Sequence, residues 1–122
     1  MSFNHFDAEG HAHMVDVSAK EPTLREARAE AFVVLGETIL NAVLDGSITK
    51  GDVLGVARLA GINAVKKTCD LIPLSHPLAI HYAAVDFDPE TESGRIRVRC
   101  TVRAVEKTGV EMEAMTDRKS VV

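Results

Sequence analysis

The sequence predicts an α+β fold, a sheet carrying helices on one face, and three observations support it. Apolar residues recur at spacings of three and four between residues 23 and 65, and strict apolar/polar alternation follows from Arg95 to Ala104. Pro89 and Gly94 then punctuate two extended runs. A chain of 122 residues with 46% hydrophobic content is sized for one domain, residues 1–122, able to bury roughly two thirds of its unfolded surface. With 4% aromatic residues and no Trp, its core must be built from Ala, Val, Leu and Ile.

Residues 1–13 carry three of the five histidines without apolar periodicity, which predicts a mobile arm. "HMVDVS" follows as a short strand. Thr23 with Glu26 three residues on forms a capping box. Leu24, Ala27, Ala31, Leu35, Ile39, Ala42 and Val43 then make a helical stripe that Gly46 ends, predicting a helix over 23–45. Asp52 is the next N-cap, and Val53, Ala57, Ala60 and Ala64 give a small-residue stripe in a helix that ends by Asp70, before Pro73. Residues 81–105 read as a hairpin. In its second arm Ile96, Val98, Cys100, Val102 and Ala104 alternate with Arg95, Arg97, Arg99, Thr101 and Arg103, so one face is apolar and the other cationic. That cationic face either stays solvated or meets another subunit.

Composition narrows the function. Fourteen basic against eighteen acidic residues leave a net charge of -4, which argues against non-specific nucleic-acid binding, since that needs a dominant basic surface. Cys69 and Cys100 have neither CxxC spacing nor a disulfide framework around them, and read as reduced thiols of a cytoplasmic protein. No apolar run approaches the roughly 18 residues of a membrane span, and the N-terminus lacks a signal-peptide pattern. Nucleotide fingerprints and nucleophile elbows are absent from the sequence. "HAH" at 11–13 has no third ligand at metal-binding spacing.

Three short stretches can carry chemistry. In "LIPLSHPL", Pro73 and Pro77 stiffen the backbone around Leu74, Ser75 and His76. The histidine there either caps carbonyls at a helix end or acts as an acid or base near neutral pH. In "TKGD", Lys50 precedes a glycine and a helix start, a place that suits anions as well as an ordinary capped turn. In "KTGVEMEAM", Glu111 and Glu113 share a face if the segment is extended and diverge by about 200° if it is helical. As a strand edge they face water, and as a pair they suit proton transfer or holding a substrate's donors.

Taken in order, "HMVDVSAK", "REARAEAF", "KGDV", "AGINAVKKT", "DLIPLSHPL" and "KTGVEMEAMT" span residues 13–116. Together they resemble the MoaC-type cyclic pyranopterin monophosphate synthases of molybdenum cofactor biosynthesis. The resemblance implies a ferredoxin-like sandwich, an antiparallel sheet with helices on one face, assembled as a homo-hexamer, a trimer of dimers with active sites between subunits. It implies conversion of 3′,8-cyclo-7,8-dihydroguanosine 5′-triphosphate to cyclic pyranopterin monophosphate with release of pyrophosphate. The resemblance further implies that no cofactor is required, with Mg²⁺ able to accompany the triphosphate, and a small-molecule substrate rather than nucleic acid or a membrane as partner.

Carried over by position, Lys50 matches the family's essential lysine, with His76, Glu111 and Glu113 as further catalytic residues. Lys20, Arg25, Leu74, Ser75, His76, Met112 and Glu113 match the substrate contacts. The family often has Cys where this chain has Ser75, so a thiol there is not required. Family members continue past "EAMT" into a long helix bearing a catalytic Asp and a Lys one turn apart. Here the sequence reads "DRKSVV", with Asp117 and Lys119 two apart, so those roles are not carried over. The C-terminal part of the family fold is expected to be missing after about Thr116. The alternative function is a non-catalytic ferredoxin-like module that binds ligand or assists assembly.

Overall fold

A computed structural model describes residues 5–48 and 51–121. Strands β1 (Thr23–Val34), β2 (Tyr82–Glu90) and β3 (Arg95–Glu106) form one antiparallel sheet in the order β1-β3-β2. Helices α1 (Glu37–Asp45), α2 (Val53–Lys66), α3 (Thr68–Leu71) and α4 (Glu111–Val121) complete the chain. This is the expected α+β arrangement. The described elements run β-α-β-β-α, without the final strand of the β-α-β-β-α-β ferredoxin-like pattern among the described residues.

The predicted helix over 23–45 is corrected to a strand followed by a short helix. In β1 Arg25, Ala27, Ala29, Ala31 and Val33 are half-buried, while Glu26, Arg28, Glu30, Phe32 and Val34 are exposed. Period two therefore wins over the three-and-four spacing that the same alanines also satisfy. The deciding partner is distant: Ala27, Ala29 and Ala31 lie opposite Val102, Cys100 and Val98 of β3, and this pairing overrides the helix propensity of an Ala-, Arg- and Glu-rich run. The capping box at Thr23 does not form, and only the last nine residues of the expected helix are helical, as α1. Gly46 ends it at φ 75°, as expected.

The "HMVDVS" segment, expected as a short strand, has no regular secondary structure and joins no sheet. Residues 5–13 form a closed turn in which Phe6 and Ala12 bridge and the Asp7 carboxylate accepts from the backbone N–H of Glu9 and His11.

The hairpin and the second helix match the sequence reading. Asp52 caps α2 by accepting from the Gly55 N–H at 2.9 Å. β2 and β3 pair from Tyr82 opposite Arg103 to Glu90 opposite Arg95. Pro89 lies inside β2, tolerable because β2 is an edge strand. Gly94 closes the turn at φ 66°, and its carbonyl accepts from both Leu35 and Gly36 N–H. A Cβ there would lie 2.8 Å from the Gly36 backbone.

The core occupies one face of the sheet. Ile96, Val98 and Cys100 pack with Leu40 and Val85, and Val102 and Ala104 pack with Val65, Val110 and Ala114. α4 lies over β1 and β3, with α2 beside it reaching β2. The open face carries the arginines of β3. Glu30 lies 3.6 Å from Arg97 and 3.4 Å from Arg99, Arg95 lies 2.9 Å from Glu90, and the Arg95 guanidinium stacks 4.1 Å from the Phe32 ring.

Candidate functional site

The segment 13–20, which ends in a turn where Lys20 N–H donates to the Val17 carbonyl, the loop after α3 and the start of α4 converge at one end of the sheet and enclose a cleft of about 180 Å³. Each wall follows from local sequence. The loop leaves α3 because Pro73 cannot continue a helix, and a turn closes it where Ser75 N–H donates to the Ile72 carbonyl at 3.1 Å. Glu106, at the end of β3, accepts from Ala79 N–H at 2.9 Å and ties the far side of the loop down. Val15 and Val17 of segment 13–20 contribute an apolar wall, with Lys20 at its end.

Lys20, Leu74, Ser75, His76, Glu111, Met112 and Glu113 all line this cleft. One site expectation falls elsewhere and one lies outside the described residues. Arg25 does not line it; its Nε donates to the Glu106 carbonyl at 3.4 Å on the inner face of β1. Lys50 lies outside the described residues. The cleft also takes in His5, Thr108 and Gly109, which sequence reasoning passed over. Gly109 had a signal in its position just before the acidic pair, and a Cβ there would collide with the Glu111 carboxylate.

The acidic pair is helical, so the strand-edge reading of "GVEMEAM" is corrected: Glu111 starts α4. The reason is at Val110, whose carbonyl accepts from Ala114 N–H and whose side chain is buried with Ala114 against Val102 and Ala104. Helical divergence gives the carboxylates different environments at one site. Glu111 is exposed at the rim, whereas Glu113 is only 3% exposed. Burial pushes the Glu113 carboxyl above the usual carboxylate range and the Glu111 charge adds to this, while its backbone hydrogen bond and His76 pull the other way. Glu113 is therefore poised to hold a proton closer to neutrality than an ordinary glutamate. His76 Nε2 lies 2.7 Å from the Val15 carbonyl oxygen, so the imidazole binds the loop to the opposite wall.

One turn beyond Glu113, Asp117 is fully buried on the same helix, and neither carboxylate oxygen has a hydrogen-bond partner of sound geometry. Desolvation pushes its pKa from 3.8 to about 6, with the Cys100 thiol acting weakly in the other direction. Among the described residues no three His, Cys, Asp or Glu side chains gather into a metal-binding group.

Comparison with known proteins gives this cleft a context. The model of the MoaC family matches residues 14–121. The cyclic pyranopterin monophosphate synthase of Geotalea uraniireducens is 70% identical over 94% of this chain and 72% of its own length. Those of Geobacter metallireducens and Pelobacter propionicus are 68% and 66% identical over 95% of this chain, again with 72% of each relative covered.

Proposed function

The chain belongs to the MoaC family, and on that premise we propose that its cleft binds 3′,8-cyclo-7,8-dihydroguanosine 5′-triphosphate and converts it to cyclic pyranopterin monophosphate with release of pyrophosphate, as a lyase of molybdenum cofactor biosynthesis. The observation that carries this reading is the gathering of an ammonium, an imidazole and a buried carboxyl, Lys20, His76 and Glu113, in one cleft. The substrate presents what each can use. Lys20 neutralises phosphate oxygens as the ribose oxygen closes on the α-phosphorus and the bond to pyrophosphate breaks, and the family resemblance assigns Lys50 a part in the same reaction. His76 takes protons during opening and rebuilding of the purine ring, and Glu113, whose carboxyl burial shifts above the usual carboxylate range, returns them. Leu74 and Met112 offer apolar contact to the ring system and Ser75 a hydroxyl. Mg²⁺, where present, travels with the triphosphate.

The cleft's size supports assembly. About 180 Å³ falls below the roughly 300–1,000 Å³ of pockets that enclose drug-sized ligands, so one chain's cleft holds part of such a substrate. Completion by neighbouring copies in a hexamer, a trimer of dimers, belongs to the same proposal. Exposed apolar residues fit that reading, notably Val56 at 64% and Leu59 at 69% on α2, and Val34 at 76% at the end of β1. A cytoplasmic location is part of it too. Neither Cys69 nor Cys100 is in a disulfide among the described residues, and no helix among them is long and apolar enough to cross a membrane.

The test is incubation of the purified protein with the cyclic triphosphate and assay of pyrophosphate and pterin product. The expected result is turnover by the wild type and loss of at least about 100-fold in His76→Ala, the scale of a removed acid–base group. Tight binding of the triphosphate without pyrophosphate release would favour a ligand-binding module instead.

A further inference from the structure

We propose that Val15, through its backbone carbonyl, is a positioning residue that fixes His76 in the Nε2–H tautomer and leaves Nδ1 as the nitrogen that exchanges protons with substrate. A neutral imidazole carries one N–H, and which nitrogen bears it is set by the partner of the other. A carbonyl oxygen only accepts. At 2.7 Å from the Val15 oxygen, Nε2 must be the donor, and Nδ1 is left with its lone pair. The loop side of this contact is stiff, because Pro73 and Pro77 fix the backbone on either side of His76.

The other side is held independently. Lys107 Nζ donates to the Ser18 carbonyl at 3.4 Å, and the Asp16 carboxylate accepts from both the N–H and the hydroxyl of Ser18 at 2.9 and 2.7 Å. Segment 13–20 is thus anchored at residue 18 before it meets the imidazole at residue 15. Its alternation also aids the contact, since Val15 and Val17 both line the cleft. His76 and Glu113 then take complementary parts, a bare Nδ1 that accepts and a buried carboxyl that donates. Seating of the segment and readiness of the base become one event.

This inference rests on the proposed acid–base role of His76, and its tests are made without substrate, so the two can fail separately. In full-chain protein labelled with ¹⁵N histidine, at a pH where the imidazole is neutral, the His76 resonances should show a protonated Nε2 and an unprotonated Nδ1. Variants supply a second readout, since His76→Gln keeps a side-chain N–H close to the Nε2 position while His76→Asn and His76→Ala do not. Backbone hydrogen exchange in segment 13–20 should stay near wild type in His76→Gln. It should quicken about five-fold or more in His76→Asn and His76→Ala, the scale of one lost hydrogen bond. A protonated Nδ1, or exchange in His76→Asn and His76→Ala equal to that of the wild type, would overturn the proposal. Absence of turnover in a wild type that shows the expected tautomer would count against the proposed function alone.

Discussion

Asp117 and Glu113 lie four residues apart on the buried side of α4, and their carboxyls share a physical problem, loss of water on burial. For Asp117 the consequence has a definite sign. Its folded pKa of about 6 exceeds its ordinary 3.8, so the native state holds the proton more tightly than the unfolded chain. The associated stability is complete below about pH 3.8 and is lost as pH rises through 6. Glu113 is shifted in the same direction. Thermal unfolding should show Asp117→Ala more stable than wild type at pH 8, with the advantage shrinking toward pH 4. A pH-independent difference would argue against an ionised buried carboxylate.

At this scale the sequence showed His76 clearly, because two prolines in one loop announce a rigid display. It showed Glu113 only as half of a pair. What it concealed was that one turn of helix would bury one carboxylate and leave the other at the rim. Asp117 was read only as part of a divergent tail, since nothing local in "TDRKSVV" signals that its side chain points at β3.

Among the elements, the hairpin and α2 were legible because their signals are local: a turn with Pro and Gly, strict alternation, an Asp cap. β1 was not, because Ala27 and Ala31 satisfy both periods and only pairing with β3, some seventy residues away, decides between them. The start of α4 was open for a related reason, as Glu111 and Glu113 are compatible with strand or helix until Val110 and Ala114 find the core.

Two substitutions test how these elements are joined. Leu40 is fully buried between α1 and the sheet, and Leu40→Ala should cost about 2–5 kcal/mol in denaturant unfolding, the usual range for such a truncation. Gly94 combines φ 66° with backbone contact to Gly36. Gly94→Ala should therefore destabilise by more than about 1 kcal/mol, where an unstrained Gly→Ala exchange would stabilise.

For the molecule as a whole, one sheet face is consumed by α2 and α4 and the other is a lattice of arginines and glutamates, so the chemistry is pushed to the sheet's end. There the loop of His76, the segment of Val15 and the first turn of α4 meet. The motifs quoted across residues 13–116 supply most of the walls of this cleft, from Val15, Val17 and Lys20 to Glu113. They could not say that Arg25 would turn inward on β1, away from the cleft of its own chain. A hexamer with sites between subunits should appear in sedimentation as six chain masses, and a monomer that turns over substrate at full rate would contradict that part of the account.

The proposed acid–base roles of His76 and Glu113 are checked by measuring pyrophosphate released from the cyclic triphosphate by wild type, His76→Ala and Glu113→Gln, with folding of each variant followed by circular dichroism. Turnover by the wild type and losses of at least about 100-fold in both folded variants are expected. Wild-type rates in both would rule these roles out.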